Sequence, residues 1–196
     1  MRRFLDILLG RAARPAPAKL EGLLAIASAA ITMEAQLGFR PCRMAGMVFK
    51  PIESVYFERA QEELEELLRI AVRETQSRFR LSTDSYRYRW VILEDPDFED
   101  LVATIQAASQ ILTEHGFGEQ LLAAVFRFDD QQGQPLFWIY QYKLGAFTPF
   151  APRKGRQRDE ALELRLAAVL EHELPIERRP ELWYALWEIP FSVNQE

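Results

Sequence analysis

The chain has 196 residues, 48% of them hydrophobic and 12% aromatic, enough for one domain, or one domain with a small appendage, built around a sizeable core. A formal net charge of −5 argues against general nucleic-acid binding. The single cysteine, Cys42, excludes an internal disulfide and fits a reducing compartment, and no apolar run approaches the roughly 20 residues of a membrane-spanning helix.

Residues 2–9 have the spacing of a short helix, with Phe4, Leu5, Leu8 and Leu9 on one side and Arg2, Arg3 and Asp6 away from it. The apolar part is too short for a secretory leader and carries Asp6. Arg11 to Lys19 reads as a stiff, Pro/Ala-rich linker. So short a helix has little stability alone. It needs a surface: its own domain, a partner protein, or a membrane, to which these few apolar residues give only weak affinity. The expected organisation is an amphipathic segment with its linker over residues 1–19 and a single domain over residues 20–196.

Leu20 to Ala30 reads as a helix rich in Leu and Ala. Ile31, Met33, Ala35 and Leu37 then alternate with polar residues, which is a strand period. Gly38 to Pro41 turns the chain, and Met44 to Lys50 is a second strand. Phe57, Ala60, Leu64, Leu67, Leu68 and Ala71 recur at helical spacing, with Glu58, Glu62, Glu63, Glu65 and Glu66 covering the rest of that helix. Ser77 to Leu93 reads as a hairpin turning at Ser82-Thr83-Asp84-Ser85. Its aromatics alternate with arginines, so Arg78, Arg80, Arg87 and Arg89 are expected to share one outer face.

Asp95-Pro96 is a helix start, with Asp95 as N-cap. Phe98, Leu101, Val102, Ile105, Ser109 and Leu112 form the buried stripe, and Gly116 is the stop. Leu121 to Lys143 is a β-hairpin around Asp129-Asp130-Gln131-Gln132-Gly133-Gln134, expected at the centre of the sheet, its second strand ending near water. Gly145, Pro149 and Pro152 forbid a regular helix or a central strand, so the chain leaves as an ordered segment held by Phe147 and Phe150. Arg153-Lys154-Gly155-Arg156-Gln157-Arg158 is a basic loop ahead of a helix that begins at Asp159. Pro180 to Trp187 reads as a last helical piece pinned by Trp183, Leu186 and Trp187. Together these give an α+β fold: a mostly antiparallel sheet from successive strand–strand–helix units, with helices packed mainly on one face.

Motifs that carry chemistry are sparse. His115 and His172 sit near helix ends, where a cation suits the dipole. Asp129-Asp130 before Gly133 is turn chemistry. Nothing beside Cys42 supplies a base, no His/Cys spacing resembles a zinc site, and no phosphate loop or Gly-x-Ser-x-Gly appears. No catalytic residue, cofactor or metal is therefore expected. Two basic features stand out. Arg78, Arg80, Arg87 and Arg89 call for an acidic counterpart, either the glutamates of the 56–72 helix or a partner. Arg153, Lys154, Arg156 and Arg158 stand ahead of a helix N-terminus, where an anion could be held.

The run Tyr142-Lys143-x-Gly145-x-Phe147-x-Pro149-Phe150-Ala151-Pro152, followed by Arg158-Asp159-x-Ala161-Leu162-Glu163 and Leu174-Pro175-x-Glu177, resembles the PspA-associated protein family PspAB. So do Phe4-x-x-x-Leu8-Leu9-Gly10-Arg11 with its proline-rich linker, Asp84-Ser85-Tyr86 and Gly116-Phe117-Gly118. The resemblance implies a cytoplasmic accessory factor of phage shock protein A, a coiled-coil protein that coats stressed bacterial membranes. It transfers no active site. The expectation is a non-enzymatic adaptor that binds a PspA-like partner near the membrane, cytoplasmic or peripheral at the inner membrane face, with no nucleic-acid role. The alternatives are a peripheral module binding anionic lipid directly and a small-molecule pocket near Tyr140, Tyr142 and Phe147.

Overall fold

The computed structural model describes residues 18–74 and 77–191. The amphipathic residues Phe4, Leu5, Leu8 and Leu9 lie outside the described residues, as does most of the linker. The chain forms α1 (Ala25–Thr32), a π-helical turn (Met33–Leu37), β1 (Arg40–Phe49), α2 (Val55–Glu74), β2 (Arg78–Thr83), β3 (Arg89–Glu94), α3 (Phe98–Glu114), β4 (Leu121–Asp129), β5 (Pro135–Gln141), β6 (Ala146–Phe150), the short strands β7 (Pro152–Arg153) and β8 (Gln157–Arg158), and α4 (Glu160–Leu170). The main sheet has the order β2-β3-β1-β4-β5-β6, and its pairings are antiparallel. This is the expected α+β class. The order strand–strand–helix is visible in β2–β3–α3 and, with an added edge strand, in β4–β5–β6 and α4.

The first stretch differs from expectation. Residues 31–37 form no strand; they continue α1 and close in a π-turn. Seven alternating residues fit either period, and the last five of them, Met, Glu, Ala, Gln and Leu, are all good helix formers. Extending a formed helix costs less than nucleating a new element. Gly38, at φ 72°, ends the turn in the left-handed region. The π geometry has a use: the buried Trp138 indole N–H donates to Met33 Sδ at 2.9 Å. Without the 31–37 strand, β1 pairs with β3 on one side and β4 on the other.

The cap of α3 is also shifted. Asp97, not Asp95, is the N-cap and accepts from the N–H groups of Glu99 at 2.8 Å and Asp100 at 3.4 Å. Asp95 is buried and forms the preceding turn, accepting from Asp97 N–H at 2.7 Å and from the Ser77 hydroxyl. The stop at Gly116 is as expected, at φ 83°.

The hairpin β4–β5 forms about Gly133, at φ 76°. β4 is central, whereas β5 and β6 step outward to the edge. The end of β5 does not reach water: Gln141 and Tyr142 are buried, and Gln141 donates to the Leu182 carbonyl at 3.4 Å. Pro149 fits because β6 is an edge strand. That edge is covered by residues 175–177, through Phe147 N–H to Pro175 O at 2.7 Å and Glu177 N–H to Phe147 O at 3.0 Å.

Both faces of the sheet are buried. The helices cover one, where Val91, Leu93, Met47, Phe126 and Trp138 meet Leu64, Leu68, Ile105, Leu112 and Leu166. Trp90, Ile92, Val125, Phe137 and Ile139 lie on the other, under Tyr184, Ala185, Leu186, Trp187, Ile189 and Phe191. Only residues 180–182 of the C-terminal stretch are helical, as one 3-10 turn. Residues 183–191 cross the sheet as an irregular strap, not as the expected helical piece. Gly46 lets the strap in: a Cβ there would lie 2.6 Å from the Phe191 ring.

Candidate functional site: a basic cleft at the β7–β8 hairpin

An irregular strap leaves its backbone carbonyls without regular partners, and buried carbonyls must be satisfied. Side chains from the sheet supply the donors. Arg80 donates to Pro190 O at 2.9 Å, Arg127 to Phe191 O at 3.1 Å and Arg158 to Trp183 O at 2.5 Å. Arg80 and Arg158 were expected to bind a partner or anion; in the fold both clamp the strap.

The four hairpin arginines do not share a face. Opposed residues of an antiparallel pair point to the same side. Arg78 opposes Glu94 and Arg80 opposes Ile92, so both lie on the strap side. Arg89 opposes Thr83, next to Leu81 and Val91, on the helix side, where with Phe49, Gln61, Leu64 and Glu65 it lines a narrow recess. Arg87 stands in the turn between the strands, itself left-handed at φ 66°. That residue resets the alternation that made the arginines look equivalent. Asp84 holds the turn by accepting from the N–H groups of Tyr86 and Tyr88 at 2.9 Å each, and from the Trp90 indole at 3.1 Å. Arginines along β2 also guard an open sheet edge against pairing with another chain.

The second basic group is partly used and partly free. Arg158 places Nε 2.8 Å and Nη2 2.6 Å from Glu163 Oε2, and its guanidinium lies 6.0 Å from the centre of the Phe150 ring. Glu163, 1% exposed, also accepts from Ala151 N–H at 2.8 Å. Burial pushes its carboxyl above the usual range, against the pull of Arg158 and the Ala151 N–H. Arg153 pairs with Asp159, the N-cap of α4. The Arg153 bond and the Leu162 N–H hold the Asp159 carboxyl below the usual range. Lys154 and Arg156 are exposed and have no ion pair among the described residues. They stand at the tip of the β7–β8 turn, where Gly155 (φ 76°) and Arg156 (φ 56°) are both left-handed.

Beneath this tip lies a cleft of about 420 Å³. Phe137 and Phe150 line its base, and Leu186 and Trp187 of the strap form one wall. The Phe150 and Trp187 rings meet edge-to-face at 5.0 Å. Arg127, Arg153, Lys154 and Arg156 supply the charge, and Gly133, Gln134 and Pro135 of the β4–β5 turn close the far side. An apolar base under a cationic rim suits a ligand with an apolar anchor and flanking carboxylates. Arg127 was missed from the sequence. It is 8% exposed and bonded to Asp129 at 2.9 Å. Its signal was there: a cation between Phe126 and Phe128 in an otherwise apolar strand.

The other candidates have structural surroundings. His115 Nε2 lies 2.7 Å from Glu63 Oε2, tying the end of α3 to α2, and His172 is exposed 3.6 Å from Glu171. Burial and Asp129 push the Cys42 thiol up, away from the reactive thiolate. Tyr140, Tyr142 and Phe147 are fully buried, packed edge-to-face, so the pocket expected there is solid core. Burial pushes Tyr140 up to about 12. Among the described residues, no group of three or more His, Cys, Asp and Glu is placed to hold a metal ion, and no helix is long and apolar enough to cross a membrane. A family model described as PspA associated protein B matches residues 2–191. The chain matches no curated protein and no solved structure.

Proposed function

The chain belongs to the family of PspA associated protein B, and from that premise we propose that it is a non-enzymatic accessory protein that seats an acidic, apolar-anchored segment of a PspA-like coiled-coil partner in the basic cleft. The family description carries association with PspA. The observation that carries the site is the pair Lys154 and Arg156, without an ion pair among the described residues and above an apolar base, when Arg80, Arg153 and Arg158 are already engaged. In this reading the protein works in the cytoplasm, within the bacterial envelope-stress response, and needs no cofactor.

Magnitude favours a protein partner over direct lipid binding. A basic residue near an anionic leaflet is worth about 1 kcal/mol, so the two free cations supply only about 2 kcal/mol, too little to hold the protein on a membrane. A cleft that also buries an apolar side chain adds roughly 1.5–3 kcal/mol for that anchor. Nucleic acid is disfavoured by the net charge of −5.

The test is calorimetric titration of the purified chain against its own PspA-type neighbour at low and moderate salt. Saturable binding that weakens with salt and falls at least tenfold in K154E/R156E supports the reading. Binding untouched by that double charge reversal moves the site elsewhere. No complex at high micromolar concentration removes the adaptor function.

A further inference from the structure

A second surface lies on the opposite side of the sheet, between α2 and α3. It is an open apolar groove of about 490 Å³, walled by Leu67 and Ile70 on α2 and by Ala103, Ala107 and Ile111 on α3. Ile70 is half-exposed. The alanines leave room that larger side chains would fill. Carboxylates mark both ends. Glu63 and Glu66 line the groove, while Asp100, exposed in the first turn of α3, precedes Ala103 and Ala107 on the same helix face. The Glu63 carboxylate is shared with His115, and Glu66 lies 3.9 Å from Arg69. The rim stays acidic, with Asp100 added.

The path of the chain identifies an occupant. Lys19 is fixed by its N–H to Tyr142 O at 2.9 Å. Ala18 packs beside Gly118 and Thr113, at the C-terminal end of α3. Residue 18, the first described, therefore stands at the Ile111 end of the groove. Residues 10–17 span up to about 26 Å when extended. The groove from Ile111 to Ala103 is about 12 Å of helix, and residues 2–9 as a helix cover about the same length. The contacts Phe57–Phe117 and Glu63–His115 set α2 and α3 antiparallel, so entry from the Ile111 end puts Leu8 and Leu9 near Ile111 and carries Arg2 and Arg3 toward Asp100.

We propose that residues 2–9 dock in cis in the α2–α3 groove, with Phe4, Leu5, Leu8 and Leu9 against its apolar walls and Arg2 and Arg3 facing the acidic rim. The groove supplies the surface that so short an amphipathic helix lacks in isolation.

The test uses the full-length chain with Cys42→Ser and Gln110→Cys, a nitroxide being attached to the new thiol beside the groove. The expected result is a several-fold loss of the amide NMR signals of residues 2–9, recovered when the label is reduced. Asp100→Lys restores those signals, and adding Arg2→Glu and Arg3→Glu quenches them again. Ala107→Arg, which fills the groove from a half-buried position, restores them independently of the charge pairs. Full intensity for residues 2–9 in the labelled parent overturns the proposal. So does quenching seen only when labelled, isotope-free chains are mixed with unlabelled, isotope-enriched ones, which assigns the groove to a second copy. Quenching unaffected by all of these variants also overturns it.

Discussion

The two faces of the sheet are buried by different means. On the helix face, regular elements satisfy their own backbones, so the contact is almost wholly apolar and the stripes of α1 to α4 cover it. On the strap face, residues 183–191 have no regular hydrogen bonding. Apolar anchors such as Ile189 and Phe191 are joined there by arginine donors to carbonyls. A covering segment without secondary structure draws polar side chains into service, and donors committed in this way are not free to pair with a ligand. The basic cleft opens where that service ends, at the β7–β8 tip between Arg127 and Arg158.

The most severe way to break the strap face is to remove the buried carboxylate that orients its clamp. Glu163→Ala leaves Arg158 half-sheltered and unpaired, and is expected to cost about 4 kcal/mol, read as a lowered urea midpoint. Phe191→Ala should cost about 3 kcal/mol, and it sharpens the contrast. The strap should loosen first, with Trp183 and Trp187 fluorescence shifting at a temperature where the far-UV helix signal is still native. If both signals move together, the two faces unfold as one unit. Gly46→Ala places a methyl group against the Phe191 ring and is expected to cost about 2 kcal/mol by overpacking. The same change at Gly133, where a Cβ meets nothing, leaves the strap in place and strains only the β4–β5 turn.

The smallest effect concerns the border between clamp and cleft. Asp159 is held below the ordinary carboxylate range, first by Arg153. Its stabilisation is therefore present above the unfolded-state value and lost as pH falls through the lower folded value. Asp159→Asn keeps a good cap but removes the charge. The gap in urea midpoint between parent and variant should be widest near neutral pH and close as the solution becomes acidic. A gap that is constant with pH would mean that the Arg153 pair contributes nothing.

Much of the helix face was legible in the sequence. The stripe of α3, the Gly116 stop, the Asp159 cap and the β4–β5 hairpin each rest on local chemistry within a few residues. The strand expected over 31–37 failed because seven residues of alternation cannot outweigh a helix already running into them. The shared arginine face failed at one residue, Arg87, whose left-handed backbone breaks the two-residue period. Half of the cleft was visible, as the basic run 153–158. The other half was not, since its base and wall come from Phe137 and Trp187, far apart in the chain.

By itself, the sequence determined the fold class, most of the element boundaries and the family. The fold class and boundaries follow from burial periodicity and turn chemistry, which act between neighbours in the chain; the family follows from the match of particular residues over 2–191. Only the tertiary structure decided which cations are free. Arg127 meets a carbonyl 64 residues away and Arg158 one 25 residues away, while Lys154 and Arg156 meet none among the described residues. No local pattern encodes that outcome, because an irregular segment takes its hydrogen bonds from whichever donors lie beneath its path across the sheet.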